Sequence, residues 1–100
     1  MVVDDEGIAL KALTRILESE GYEVEAVSTG KKALKQINSR RFDLILTDLF
    51  IDEISGMDVL AAVKNRDPET AVIILTGHGS IDSAIEATKK DAFHYLQKPI

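Results

Sequence analysis

Two runs, Leu44-Ile45-Leu46 and Val72-Ile73-Ile74-Leu75, constrain this chain most. Each is apolar at every position and gives way to polar residues, Thr47-Asp48 and Thr76-Gly77. A strand without polar alternation must be covered on both faces, as strands are in a parallel sheet sandwiched between helices. The intervening segments carry the matching helical periods. Ile8, Leu10, Leu13, Ile16 and Leu17 recur at three- and four-residue spacing up to a stop at Gly21. Ala33, Leu34 and Ile37 follow a cap at Ser28 or Thr29. Met57, Leu60, Ala61 and Val63 lead to a stop at Asp67-Pro68, because the residue before proline resists helix. Ile81, Ala84, Ile85 and Thr88 follow a cap at Ser80.

Three further strands complete the pattern. Val2-Val3 is short and buried, and His94 to Gln97 is the last strand. Tyr22, Val24 and Ala26 alternate with Glu23 and Glu25, which predicts a half-exposed strand at a sheet edge. The order β-α-β-α-β-α-β-α-β with right-handed crossovers defines an α/β, doubly wound, parallel five-stranded sheet with helices on both faces. An edge position for the second strand fits the order 2-1-3-4-5. The fifth helix that would follow the last strand is missing from the chain. It would share a face with the first helix, so apolar strand surface is expected there unless a partner, a second copy or further sequence covers it.

Bulk properties narrow the function. One hundred residues without repeat or linker suit a single domain spanning 1–100. The apolar run Ala71–Leu75 is five residues and none is longer, so no segment is expected to span a bilayer. The start, Met1-Val2-Val3-Asp4-Asp5-Glu6, lacks the pattern of a secretory signal, and a cytoplasmic location is expected. No cysteine is present, which excludes disulfides, thiolate zinc sites and thiol catalysis. A net charge of −5 with no basic cluster argues against direct nucleic-acid binding.

In open α/β sheets, ligands bind outside the carboxyl ends of the strands, near the switch point of strand order. Here those ends carry Asp4-Asp5-Glu6, Asp48, Thr76 and Lys98. Singly, each has an ordinary use in capping, turns or solvated charge. Jointly, Asp4, Asp5, Asp48, Thr76 and Lys98 would put three carboxylates, a hydroxyl and an ammonium on one rim. Two carboxylates ~4 Å apart repel by roughly 4 kcal/mol at an effective dielectric of 20, which a hard divalent cation removes. An oxygen-only site with few protein ligands suits Mg²⁺. An aspartate there can attack phosphorus to form an acyl phosphate, with lysine and threonine on the phosphoryl oxygens.

The segments Val3-Asp4-Asp5-Glu6, Asp43-Leu44-Ile45-Leu46-Thr47-Asp48-Leu49, Leu75-Thr76-Gly77 and Tyr95-Leu96-Gln97-Lys98-Pro99 resemble the receiver domain of bacterial two-component response regulators along the whole chain. The stretches Leu75 to Ser80 and Ala92 to Pro99 are most similar to receivers of NtrC-class transcriptional activators. The resemblance implies a flavodoxin-like fold and a phosphorylation switch that is not a turnover enzyme. It implies Asp48 as phosphoacceptor, assisted by Lys98 and Thr76. It implies Mg²⁺ on Asp5, Asp48 and the backbone carbonyl of Phe50, with Asp4 acting through water. Thr76 and Tyr95 would be switch residues that alter the surface of the fourth helix and fifth strand, and Lys98-Pro99 is a candidate cis peptide. The implied partners are a sensor histidine kinase, an output domain such as an NtrC-class ATPase and DNA-binding module, and a second copy of the chain.

Three departures from that family's pattern bear on the site. Ile51-Asp52 stands where a Met-Pro pair is common, which adds charge and removes a rigid turn. Phe50 has no side-chain group to position a water. Asp91 occupies a place that often holds glycine. Other readings fit less well. A flavin-binding domain would hold phosphate on a Ser/Thr/Gly loop rather than Asp4-Asp5-Glu6-Gly7. A dinucleotide fingerprint fails at Asp82 after Gly77-His78-Gly79. A haloacid-dehalogenase-type phosphatase would carry an acid where Phe50 stands. The remaining alternative is a receiver-like binding module that is not phosphorylated. His78 and His94 are read as surface side chains.

Overall fold

A computed structural model describes residues 1–77 and 81–97. The elements alternate as β1 (Val2–Val3), α1 (Gly7–Ser19), β2 (Ala26–Val27), α2 (Gly30–Ser39), β3 (Leu44–Thr47), α3 (Gly56–Arg66), β4 (Ala71–Thr76), α4 (Ile81–Lys89) and β5 (His94–Gln97). All strand pairs are parallel and the sheet order is β2-β1-β3-β4-β5, as the sequence pattern requires. Ser80, His78, Lys98 and Pro99, and with them the expected α4 cap and cis peptide, lie outside the described residues.

With right-handed crossovers, the reversal of direction after β2 puts α1 on one face and α2, α3 and α4 on the other. The core lies on the second face. Val3, Ile45, Val72 and Ile74 from the strands meet Ala33 and Ile37 of α2, Val59, Leu60 and Val63 of α3, and Ala87 of α4. On the first face the strands present Leu44, Leu46 and Ile73 half-buried, and Leu96 is 41% exposed. Helix α1 has no buried residue, and its Ile8 is 89% exposed. Apolar strand surface is thus partly exposed on this face, and Leu10, Leu13 and Leu17 of α1 are each half-buried.

Local chemistry accounts for the helix ends. Thr29, not Ser28, caps α2, its hydroxyl accepting from Lys32 N at 3.1 Å. Ser55 and Asp58 form a reciprocal capping box on α3. Helix α1 ends with Tyr22 N donating to Leu17 O and Gly21 N to Glu18 O, Gly21 taking φ +93°. Helix α4 closes in the same way, Ala92 N to Ala87 O and Asp91 N to Thr88 O, but with Asp91 at φ 66°.

Two expectations need correction. The second strand is Ala26–Val27, not Tyr22 to Ala26, and its inward residue is Val27 while Tyr22 is 61% exposed. Its register partners are Val2 and Val3 of β1, and Val2 N donates to Glu25 O at 2.9 Å. On α3, Val59 is buried and Ala61 exposed, because the helix docks so that Met57, Leu60 and Val63 share the core with Val59.

Candidate functional site

Strand register builds the site. Val3 pairs with Thr47, and Thr47 with Ile74, so the residues that follow leave the sheet side by side at its carboxyl edge. Asp48 N donates to Val3 O at 2.9 Å and Asp4 N to Val27 O at 3.2 Å, which locks both backbones to the sheet. Asp4, Asp5 and Asp48 come together as expected: each offers a carboxylate oxygen, and these oxygens all lie within 4.8 Å of one another. Asp4 is 1% exposed and Asp48 7%, whereas Asp5 is exposed to solvent. Asp4 Oδ1 accepts from Glu6 N at 2.9 Å, and Asp48 Oδ1 accepts a longer bond from Phe50 N at 3.4 Å.

This donor set fits a small hard cation. Octahedral Mg²⁺ with oxygens at about 2.1 Å spaces neighbouring ligands about 3 Å apart and opposite ones about 4 Å apart. A cluster already within 4.8 Å needs only slight closure to reach that spacing. Three carboxylates without nitrogen or sulfur donors favour Mg²⁺, Ca²⁺ or Mn²⁺ over zinc or copper.

The other expected residues fall around this cluster. Thr76 ends β4, fully buried, with Gln97 of β5 as its register partner. Tyr95, on the edge strand β5, is half-buried and packs against the core. The Phe50 side chain is 56% exposed at the rim, so any ligand from this residue comes from its backbone. Lys98 lies outside the described residues. A hollow of about 500 Å³ lined by Met1, Leu17, Tyr22, Arg40, Phe42 and Leu44 opens at the opposite edge, and none of the three carboxylates lines it.

Two residues that support the site have no chemistry-bearing signature in the sequence. A Cβ at Gly56 would stand 2.3 Å from the carbonyl oxygen of Asp48, so only glycine lets α3 start this close to the strand end. Its N–H donates to Leu49 O at 2.8 Å. Asp52 turns its carboxylate toward α2, Oδ2 accepting from Gly30 N at 3.1 Å and Oδ1 from Ile54 N at 2.9 Å. The sequence signal for Asp52 was only its place in a loop where proline is common in the family it resembles.

A parallel 2-1-3-4-5 sheet with an acidic cluster at its switch point defines a receiver-type domain. The chain belongs to the response regulator receiver domain family, which matches residues 1–100. Among curated proteins it is 41% identical over 100 residues to the transcriptional regulatory protein GlrR of Escherichia coli, a match covering all of this chain and 22% of GlrR. The chain thus spans about a fifth of the length of such relatives. A solved response regulator protein from Burkholderia pseudomallei, with a phosphorylated aspartic acid, calcium ion and citrate, superposes with a TM-score of 0.92 at 34% identity, over 99% of this chain and 58% of that one. The beryllofluoride-activated NtrC4 receiver domain dimer gives 0.91 at 38% identity, over 99% of this chain and 82% of that one. The NtrC-class similarity read from the sequence is thereby borne out. Among the described residues, no helix is long and apolar enough to cross a membrane.

Proposed function

We propose that the domain, residues 1–100, is a phosphorylation switch in which Asp48 accepts a phosphoryl group from the phosphohistidine of a sensor kinase. A carboxylate oxygen of Asp48 forms the bond to phosphorus as the bond from phosphorus to the imidazole nitrogen breaks, and the imidazole leaves with the electron pair. Asp5, Asp48 and the Phe50 carbonyl hold Mg²⁺ directly, and Asp4 holds it through water. The ion supplies neutralisation of charge on the transferred group. Thr76 and Lys98 bind phosphoryl oxygens, Lys98 as a point charge following Gln97, the register partner of Thr76. The gathering of Thr76 and Tyr95 toward the phosphoryl group alters the α4–β5 surface, which controls an output such as transcription in a cytoplasmic regulator. An output domain of the NtrC-class ATPase and DNA-binding type, and a second copy of the receiver, are the further partners in this reading.

The observation that carries the reading is the carboxylate cluster, two members buried and one exposed, in a fold whose solved relative from Burkholderia pseudomallei holds a phosphorylated aspartic acid and a calcium ion. Intact mass after incubation with acetyl phosphate tests it, with and without Mg²⁺. One phosphoryl adduct that requires both Mg²⁺ and Asp48 is expected. An adduct that persists in Asp48→Asn shows the acceptor to be misassigned. No adduct in protein folded by circular dichroism favours a binding module that is not phosphorylated.

A further inference from the structure

The loop between β3 and α3, residues 49–55, carries the Phe50 carbonyl and leaves directly from Asp48, so its conformation sets the site. It is held at one end by Gly56 N on Leu49 O and by the Ser55–Asp58 box. It is held in the middle by Asp52, both of whose carboxylate oxygens are engaged. The bond to Ile54 N closes a turn within the loop. The bond from Gly30 N crosses to another element, the first residue of α2, whose N–H has no acceptor within its own helix. The negative carboxylate is also favourably placed against the positive end of α2. The seating is close: a Cβ at Gly30 would meet Ile54 Cβ at 2.5 Å and Asp52 Oδ1 at 3.0 Å. Ile51, buried next to Asp52, pins the same stretch into the core.

From this geometry we infer that Asp52 is a positioning residue for the metal and phosphoryl site: by tying the loop to the amino end of α2 it fixes the backbone from Asp48 to Phe50. The tie replaces the stiffness a proline would give that turn, and it directs the charge of Asp52 at α2. The inference rests on the proposed reading of the carboxylate cluster as a Mg²⁺ site, and it adds the residue that sets the geometry of that site from outside it.

The test is amide NMR on the ¹⁵N-labelled chain, comparing wild type with Asp52→Ala, Asp52→Asn and Thr29→Ala. Without metal, Asp52→Ala should lose hydrogen-exchange protection selectively at Gly30 and Ile54. In a Mg²⁺ titration followed at the amides around Asp5 and Asp48, Asp52→Ala should bind about 10-fold more weakly, the scale seen when a residue that orients a metal ligand is removed. Asp52→Asn, with one carbonyl oxygen for two N–H donors, should fall between. Thr29→Ala removes a different bond at the same end of α2, so it should lower stability and leave Mg²⁺ affinity at the wild-type value. Affinities for Asp52→Ala and Asp52→Asn equal to wild type overturn the inference, as does an equal loss in Thr29→Ala. If Asp52→Ala does not fold, the Asp52→Asn comparison decides by the same criteria. Wild type without Mg²⁺-dependent shifts overturns the metal reading and the positioning role together. In that case the Gly30 and Ile54 exchange data still report whether the tie exists.

Discussion

Replacing Gly56 by alanine isolates how tightly α3 abuts the end of β3 at Asp48. The added Cβ would lie 2.3 Å from the Asp48 carbonyl oxygen and 3.1 Å from both the Asp48 carbonyl carbon and Leu49 Cα. All of these are backbone atoms, so no side chain can rotate away, and the start of the helix must retreat by roughly 1 Å to reach ordinary contact. Overpacking of this kind costs about 1–3 kcal/mol. The retreat also stretches the bond from Gly56 N to Leu49 O, worth about 1 kcal/mol. Against this stands the helical preference of alanine over glycine, at most about 1 kcal/mol. The net expectation is a loss of about 2 kcal/mol, a fall in melting temperature of about 10 °C. Gly7→Ala is the matched control. Gly7 is likewise the first residue of its helix, and nothing lies within 4 Å of its added Cβ, so it reports the propensity term alone. Urea unfolding followed by far-ultraviolet circular dichroism gives both values, with an unchanged slope as the sign that only stability has moved. If Gly56→Ala is as stable as Gly7→Ala, the close approach of α3 to Asp48 is wrong.

One further perturbation has a definite sign. Asp91 holds φ 66° at the end of α4, a conformation that glycine adopts without the Cβ penalty, so Asp91→Gly should stabilise by about 1 kcal/mol and raise the thermal midpoint. A lowered midpoint would mean that the Asp91 side chain contributes more than its backbone costs.

The parallel sheet was legible because Leu44–Leu46 and Val72–Leu75 call for cover on both faces, its order because the second strand reads as an edge, and the acidic strand ends then converge through register. What escaped reading depends on partners distant in sequence. Tyr22 and Val24 alternate with glutamates like strand residues, yet the residues that pair with β1 are Ala26 and Val27. Val59 and Ala61 both suit a helix, and only the docking of α3 decides which one is buried. Asp52 read as an added charge near the site. Nothing local says that Gly30, twenty-two residues earlier, offers it an N–H. Gly56 carried no signal of its own, because its constraint is a carbonyl eight residues upstream.

The division of the three carboxylates between burial and exposure follows from how the two faces of the sheet are built. Asp4 and Asp48 continue strands whose other face is the core, and their surroundings run to elements that supply it: Gly56 and Ser55 to α3, Asp52 to α2. Asp5 instead leads into α1, the one described helix without a buried residue. Two fixed acids and one that can turn into water make a cluster that tolerates its own charge. With no cation bound, the exposed Asp5 carboxylate is solvated, so the full repulsion of three buried charges never builds up. The thinly covered α1 face is therefore compatible with a well-defined site, because the rigid part of the rim is anchored on the opposite side of the sheet.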